Sequence, residues 1–537
     1  MWRWRVYSSS TPDSVLKRWD YLLILILALI VPLVVAALQR VPGYMDGAYY
    51  YADGTQLASG KGFQEPFIWN YLDHPQGLPH PSNAYWYPLA SLIAAGGMAL
   101  TGTINFISAR IGFLMMAALA PLVSVALAFR ITRRRSLALL SGVLAIFSGY
   151  YLSFIATTDN YSLYLLVGAV YFLILERLTL PKSVLLGFLA GILNLARGDG
   201  LLWLPLTLLV VSVITYRQFA VAPIQTRIIH AIGSGLLSLA GYLLVMGGWM
   251  VRSFLVFGSV FPPGSGYTLW MTNYNQIYSF TPEIYTFQSW MAQGWQVILK
   301  VRAEALLQNM STAFFAQGLI VLFPLTVIGI YHFRHMVRIQ VGLMGWFLLL
   351  LLESLLFPFA SVNGGFFHAG TAFQPLWFAL APVGLETLVV RFSKIKSPLP
   401  QRAALFQFSL AVFAILFSAI LVKFRVIDTG WNEGEYLYQS VDSFLVDHGA
   451  HTDEIVMTRN PPAYFIMTQR QAVVVPYGDV QTLLDAARKY NVGYVVLERK
   501  GAVEGLANLY SNPDLYPAFD YLGKLDETII LHVNSTR

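Results

Sequence analysis

The chain has 537 residues, of which 56% are hydrophobic and only 12% are charged, and its formal net charge at pH 7 is +7. A soluble protein of this length would carry about 25% charged residues, so the composition excludes an ordinary soluble enzyme and predicts an integral membrane protein. The small positive charge is typical of basic loops beside membrane spans and not of a surface that binds nucleic acid. The absence of cysteine excludes disulfides and zinc–thiolate sites.

The first apolar run follows Arg3, Arg5, Lys17 and Arg18, and no small-residue cleavage site comes after it. This pattern predicts an uncleaved signal anchor with the N-terminus in the cytoplasm. A helix needs about 20 apolar residues to cross a bilayer. On that basis the sequence predicts about eleven transmembrane helices, at 20–38, 106–129, 136–155, 161–178, 183–196, 200–215, 229–251, 311–331, 340–358, 370–390 and 403–424.

Basic loops set the predicted orientation, because such loops stay on the cytoplasmic side. The apolar stretch 86–102 would invert the later loops if it crossed, so we interpret it as an amphipathic or re-entrant segment on the outer side. The outer regions are then 39–105, 252–310 and the tail after 425. The predicted inner segments are Arg130–Arg135, Tyr216–Arg217, Arg227, His332–His335 and Arg391–Lys396.

The composition changes after residue 425, which divides the chain into a predicted transmembrane domain, 1–425, and a soluble extracytoplasmic domain, 426–537. In the tail, strands are predicted at 454–458, 472–475, 493–497 and 528–533, with helices at 461–465 and 480–490 between them. This alternation predicts a small α/β unit with a parallel sheet. It contains no glycine-rich phosphate loop, so no nucleotide site is predicted.

Asp46 stands at the head of the first outer loop, just past the first span. If residues 46–57 form a helix, Asp46, Tyr50 and Asp53 share one face at spacings of four and three. A carboxylate there can deprotonate a hydroxyl or hold a divalent cation. Capping of the helix is the alternative for Asp46, and equally for Asp159, which is expected at the same membrane level.

Arg197 and Asp199 lie between two apolar spans, where an arginine needs a partner. That partner is either Asp199, in a pair that pins a turn, or a ligand phosphate. Arg252, at the outer end of its span, either contacts phosphate or is an ordinary interfacial arginine. His368 follows two glycines and two phenylalanines, and phosphate contact and a packing role both remain open.

The order of these features resembles the GT-C glycosyltransferases, especially bacterial relatives of dolichyl-phosphate-mannose protein mannosyltransferases and aminoarabinose transferases. The likeness spans roughly residues 15–390. It is carried by Asp46 with Tyr49 and Tyr50, Leu57–Phe63, Trp86-Tyr87-Pro88-Leu89, Ser108-Ala109-Arg110 and Asn194–Gly200.

The resemblance implies an inverting transferase in a bacterial plasma membrane, with a polyprenyl-phosphate-linked sugar as donor and an extracytoplasmic protein, lipid or glycan as acceptor. Asp46 would be the catalytic base, and Asp159 would assist it or share a magnesium or manganese ion with it. Arg197, Arg252 and His368 would contact the donor phosphate, and Tyr50, Asp53 and Asp199 would support the site. The family has a second acidic residue directly after the first, where this chain has Gly47.

Two other function classes stay open on the sequence. A transporter or lipid flippase would place charges near the bilayer midplane and repeat its halves, whereas the charges here lie near the predicted outer edge. A non-catalytic assembly subunit could keep the fold after losing the chemistry, and Gly47 leaves that reading open.

Overall fold

The computed structural model describes residues 15–392, 399–499 and 504–534, without the side chains of residues 392–402. The basic residues Arg3 and Arg5, and the predicted inner segment from residue 393 onward, lie outside the described residues.

The protein is a multi-pass membrane protein. Within the described ranges, seven helical segments are long and apolar enough to cross a bilayer: Arg18–Leu38, Phe106–Thr132, Gly198–Gln218, Ile224–Phe257, Val337–Leu356, Gly365–Arg391 and Ala403–Asp447. An eighth span results if the pair Trp295–Gln317 and Leu322–Phe333, which is bent by 92°, counts as one. Helical bundles satisfy every backbone polar group internally, which hydrocarbon requires.

Four further apolar helices are shorter, Leu89–Thr101, Arg135–Ile146, Tyr161–Ile174 and Leu180–Ala196. The last three were predicted as spans, but they have 12, 14 and 17 residues and are too short to cross about 30 Å of hydrocarbon alone. The count of eleven spans is therefore not confirmed. A single helix at 311–331 is wrong, because the chain breaks between Gln317 and Leu322.

The two ends of the bundle differ in charge. Arg135 forms a two-pronged pair with Asp20, at 2.6 and 2.7 Å, and Glu176 joins Arg130 and Arg338 at 2.9 and 2.8 Å. These residues lie at the end of the helix Phe106–Thr132 opposite to Arg110, whose guanidinium donates to the carbonyl oxygens that close the first helix. The basic end and the end that carries Asp46 are thus opposite ends of the bundle.

The end of the bundle that carries Asp46 also carries a six-stranded sheet. The eight strands of the described chain are β1 (Gln64–Glu65), β2 (Phe67–Ile68), β3 (His80–Pro81), β4 (Ile455–Thr458), β5 (Ala472–Val474), β6 (Val492–Glu498), β7 (Phe519–Leu525) and β8 (Thr528–Val533). The large sheet has the order β2-β5-β4-β6-β8-β7, in which β2, β5, β4 and β6 are parallel and β8 and β7 antiparallel. β1 pairs separately with β3.

The predicted tail strands and helices are confirmed, the helices as Pro461–Thr468 and Val480–Tyr490. A helix at Glu433–Asp447, the strand β7 and the contribution of β2 from the first outer loop were not predicted. The parallel sheet is correct for β4, β5 and β6, whereas β8 pairs antiparallel with β6 and with β7, which precedes it through a tight turn. The domain boundary at residue 425 stays a prediction.

Other helices of the end that carries Asp46 and its connections are Met45–Ala58, Ser265–Thr268, Phe287–Ala292, Pro358–Val362 and Ala507–Ser511. Small residues let the helices that carry site residues approach closely. A Cβ on Gly168 would lie 1.9 Å from the carbonyl oxygen of Ala372, so the helix Tyr161–Ile174 packs tightly against the segment that follows His368.

Candidate active site

The helix Met45–Ala58 confirms the predicted helix and places Asp46 in its first turn. Gly43 precedes it with φ of +80°, and a Cβ there would lie 2.2 Å from Nε1 of Trp431, so only glycine fits. Its N–H donates to Glu435 Oε1 at 2.7 Å. The helix start makes no side-chain cap hydrogen bond, so the capping alternative for Asp46 is not observed.

Asp159 is completely buried and is held by neighbours from two segments. Its Oδ1 accepts the N–H of Asn160 at 2.6 Å, and its Oδ2 accepts the hydroxyl of Tyr44 at 2.8 Å. Thr158 donates to the carbonyl oxygen of Gly47 at 2.7 Å, which ties this loop to the helix that carries Asp46. The Asp159 carboxylate therefore links two segments of the chain through hydrogen bonds, and it does not cap the helix that begins at Tyr161.

His368 completes the cluster. Its Nε2 lies 3.2 Å from Asp159 Oδ2 and 3.7 Å from Asp46 Oδ2, and one ligand atom of each residue lies within 4.8 Å of the other two. The imidazole stacks on Tyr161 with ring centroids 4.3 Å apart. Three separate stretches of the chain thus bring their polar groups to one point.

The hydrogen bonds of His368 constrain its protonation. Nδ1 faces the carbonyl oxygen of Gly364 at 2.9 Å and must donate to it, because a carbonyl only accepts. Nε2, which faces the two carboxylates, then either carries the second proton of an imidazolium or presents a lone pair. The first state neutralises one carboxylate, and the second suits a metal ligand, whose other nitrogen usually donates to a backbone carbonyl.

The two carboxylates differ in acidity. Burial and the charge of Asp159 raise the pKa of Asp46, against smaller opposing effects of His368 and Arg197. Burial would also raise the pKa of Asp159, but the charge and hydrogen bond of His368, with Arg197, outweigh it and lower that pKa. The pKa values of two interacting acids commonly move apart in this way. The acid with the raised pKa is then suited to accept a proton.

Arg197 lies close enough to the cluster for its charge to act on both carboxylates, and its side chain is largely buried. Its Nε donates to Asp199 Oδ2 at 2.9 Å, and Tyr164 donates to Asp199 Oδ1 at 3.0 Å. The predicted turn-pinning pair therefore exists, yet the charge of Arg197 also acts on Asp46 and Asp159. Tyr50 is buried among Asp46, Asp159 and Arg197, and burial with the two acids raises its pKa.

The structure does not bring Asp53 and Arg252 into this cluster. Burial raises the pKa of Asp53 to about 6, against smaller opposing effects of nearby serine and asparagine side chains and of the charge of Arg252. The Arg252 guanidinium lies 4.7 Å from the ring centroid of Trp249 and 5.2 Å from that of Phe63. Both residues belong to a second buried cluster, and their predicted roles stay predictions.

The second cluster also contains Glu65 and His80, whose side chains are joined at 2.9 Å and are nearly inaccessible. His80 Nδ1 faces the carbonyl oxygen of Pro81 at 2.8 Å and must donate to it, so the contact with Glu65 is either a neutral pair, with the proton on Glu65, or an imidazolium–carboxylate pair. Burial raises the pKa of Glu65 and lowers the pKa of His80 to about 4, in agreement with a neutral pair.

A scan against protein-family models and a search of curated proteins both found no match. Solved structures do match. The chain is 11% identical to ArnT from Cupriavidus metallidurans bound to undecaprenyl phosphate, with a TM-score of 0.55 over 96% of this chain and 98% of that one. For ArnT in the apo state the TM-score is 0.54, at 11% identity over 95% and 97% of the chains. The apo oligosaccharyltransferase of Archaeoglobus fulgidus gives a TM-score of 0.51 at 13% identity over 90% of this chain and 70% of that one.

The chain therefore shares the fold of ArnT and of this oligosaccharyltransferase. This confirms the resemblance and the fold class predicted from the sequence, a GT-C-like helical membrane protein with a small C-terminal α/β region. At this level of identity the likeness concerns the fold, so the chemistry must be argued from the residues themselves.

The cluster of Asp46, Asp159 and His368 offers one ligand atom from each residue to a divalent cation. Metal ligands lie about 2.0–2.3 Å from the ion, so ligand atoms 3.2 and 3.7 Å apart can share one ion after small shifts. Two carboxylates and an imidazole suit a divalent transition-metal ion, whereas magnesium prefers oxygen ligands alone. The residues present therefore fit a cation held by Asp46, Asp159 and His368.

Tyr44 was missed in the sequence analysis, which left open whether Glu353 faces a cavity or pairs within the bundle. Tyr44 precedes the helix and holds Asp159 through its hydroxyl, and the only signal was its place beside Asp46. Glu353 is 4% exposed inside an apolar span, with its Oε2 2.6 Å from where a Cβ on Gly365 would lie. An acid within a span was the available signal. The acid that lies beside Asp46 in space is Asp159, from another segment of the chain.

Proposed function

We propose that the protein transfers a sugar from a polyprenyl-phosphate donor to a hydroxyl of an acceptor outside the membrane, with inversion at the anomeric carbon. The observation that carries this proposal is the meeting of Asp46, Asp159 and His368 within 4.8 Å, with Arg197 behind them, in a GT-C fold. Attack by a hydroxyl requires a base that accepts its proton. Departure of a phosphate requires positive charge beside it.

Asp46 acts as the general base. Of the two acids it is the more accessible, with 23% of its side chain exposed and none of that of Asp159. The acceptor oxygen bonds to the anomeric carbon as its proton passes to Asp46. The bond from that carbon to the phosphate oxygen breaks, and the phosphate leaves with the electron pair. Attack opposite to the leaving group inverts the carbon.

Arg197 and His368 stabilise the departing polyprenyl phosphate. Among the described residues, the hydrogen bond of the Arg197 guanidinium runs from Nε to Asp199, which orients its terminal nitrogens for a phosphate. Tyr44 and Asn160 hold Asp159 in place through its two oxygens. A cation bound by Asp46, Asp159 and His368 would supply further charge for the leaving phosphate, and manganese fits these ligands.

The site faces the outside of a bacterial plasma membrane, with the N-terminus in the cytoplasm and the sheet-bearing C-terminal region, 426–537, extracytoplasmic. The arginines at the other end of the bundle, Arg130, Arg134 and Arg135, support this orientation, because basic residues stay on the cytoplasmic side. The binding of undecaprenyl phosphate by ArnT supports a polyprenyl phosphate as this chain's donor lipid.

The test uses the purified full chain in nanodiscs and polyprenyl-phosphate sugars extracted from cells that produce the protein. Release of polyprenyl phosphate together with a glycosylated product is expected from the wild type, and its loss is expected in Asp46→Asn. Normal folding of an inactive wild type that still binds undecaprenyl phosphate would point instead to a non-catalytic subunit. Movement of intact lipid-linked sugar across vesicles would point to a flippase.

A further inference from the structure

A large cavity lies between the outer end of the bundle and the C-terminal sheet. Its volume is about 1120 Å³, and none of the predicted site residues lines it. Five aromatic rings line its wall: Tyr44, Tyr274, Tyr278, Trp431 and Tyr438. Aromatic side chains offer apolar faces with polar edges, so this wall can pack against a flat ligand that also carries hydroxyl groups.

The same wall carries unsatisfied hydrogen-bonding capacity. Glu435 is 4% exposed, and while its Oε1 accepts from Gly43, its Oε2 is buried and has no partner among the described residues. Glu498 accepts from the Tyr438 hydroxyl at 2.6 Å. A buried carboxyl oxygen without a partner is costly, and a ligand hydroxyl that formed a hydrogen bond with it would remove that cost.

Arginines add donors to this wall. Arg425 lies 5.6 Å from the ring centroid of Phe154 and 5.9 Å from that of Trp431, in a π-helical turn at Lys423–Asp428. Such turns often mark functional positions. Arg459 lies near enough to Tyr278 to act on its pKa. Hydrogen-bond acceptors, hydrogen-bond donors and aromatic faces thus all line the same cavity.

The cavity adjoins the catalytic cluster. Tyr44 lines the cavity with its ring, which contacts Trp431 edge to face, while its hydroxyl donates to Asp159. On the other side, the Tyr278 hydroxyl lies 3.7 Å from the sulfur of Met45, the residue before Asp46. A ligand in the cavity can therefore present a hydroxyl toward the Asp46 side of the cluster.

We propose that this cavity binds a saccharide and that this saccharide is the acceptor. The assignment as acceptor rests on the proposed function, whereas saccharide binding itself does not. A lipid tail would require a continuous apolar lining, which the arginines and carboxylates exclude. Ring faces beside paired donors and acceptors match the faces and hydroxyls of a sugar. The saccharide can be the headgroup of a lipid or the end of a free glycan chain.

Gly434 allows a direct test. It lines the cavity on the helix Glu433–Asp447, and a Cβ at this position would meet no atom within 4 Å. Gly434→Trp should therefore fill part of the cavity without disturbing packing, and Gly434→Ala should leave it open. Gln439→Trp places the same bulk on an exposed position of the same helix, outside the cavity lining.

The full chain in nanodiscs is applied to an array of neutral, amino and acidic oligosaccharides, each presented free and attached to a lipid. We expect wild-type binding to at least one saccharide class, a loss of about tenfold or more in affinity for Gly434→Trp, and wild-type affinity for the other two variants. The free and lipid-attached arms identify the source of the saccharide.

No saccharide binding by the wild type, equal binding by Gly434→Trp, or binding of acceptor peptides in place of saccharides would overturn the proposal. Binding of undecaprenyl phosphate is measured in parallel and should not change in Gly434→Trp. If the wild type binds saccharide but does not bind undecaprenyl phosphate and does not transfer the donor sugar, the proposed function fails and the saccharide site stands.

Discussion

Replacement of Asp46 by asparagine removes the proposed base and keeps the shape of the side chain. Asp46 lies 3.7 Å from His368 and is the acid of the pair with the raised pKa. A positioned general base contributes about 10²- to 10⁴-fold to a rate, or about 3 to 5 kcal/mol of barrier. We therefore expect transfer by Asp46→Asn to fall by at least about 100-fold.

The pH profile gives this prediction a second readout. A base must be ionised to accept a proton, so the wild-type rate should rise with pH through the raised pKa of Asp46 and then level off. The residual rate of Asp46→Asn should lack that rise. The assay is a single turnover at saturating donor in nanodiscs, so that donor binding does not limit the signal.

Asp53→Asn is the matched control, because Asp53 lies on the same helix and belongs to the second cluster. Its rate should stay within about threefold of the wild type. A loss as large as that of Asp46→Asn would show that Asp53 takes part in the chemistry. A change of less than about threefold in Asp46→Asn, or an unaltered pH profile, would refute the role of Asp46 as base.

Tyr44, His368, His80 and the membrane topology each give a further testable prediction. Tyr44→Phe removes the 2.8 Å hydrogen bond to Asp159 and should slow transfer about tenfold at an unchanged melting temperature; an unchanged rate would count against this role. Manganese binding, measured by electron paramagnetic resonance on the purified protein, should weaken at least tenfold in His368→Gln, and equal binding would exclude the imidazole as a ligand. His80 has a pKa of about 4 in the folded protein, against an ordinary value of 6.5, so its own contribution to stability is lost as pH falls from about 6.5 to 4, whereas Glu65, whose pKa is raised, gains stability as pH falls and offsets that loss in the wild type. Thermal unfolding in detergent should show that His80→Gln gains stability relative to the wild type as pH falls over that range, and equal slopes would contradict the buried neutral pair. A reporter fused after residue 537 should be extracytoplasmic, and a cytoplasmic signal would reverse the topology.

The sequence predicted the parts of the fold that depend on local pattern. The long apolar helices and the strands of the tail follow from periodicity and composition, and they appear close to their predicted bounds. The span 136–155 ends early, at Ile146, because the chain turns into the loop that carries Asp159, whereas the span 161–178 ends at Ile174, before the turn that carries Glu176. Burial of that loop under Tyr44 and Phe367 is a tertiary effect that no local pattern records.

The candidate site, too, could be predicted from the sequence only in part. Asp46, Asp159 and Arg197 could be found because charged residues at a membrane boundary are rare. The inclusion of His368 depends on the packing of the segment after Gly364, and the separation of Asp53 from Asp46 depends on the helix burying its second face against Leu89–Thr101. Spacings of three and four place residues on one side of a helix but do not say which neighbours that side meets.

The most direct test of the central claim is an experimental structure of the full chain in a nanodisc with undecaprenyl phosphate. The account predicts the phosphate within about 4 Å of the Arg197 guanidinium, beside Asp46, Asp159 and His368. A phosphate bound instead at Arg252, or carboxylates of Asp46 and Asp159 more than about 10 Å apart, would contradict it.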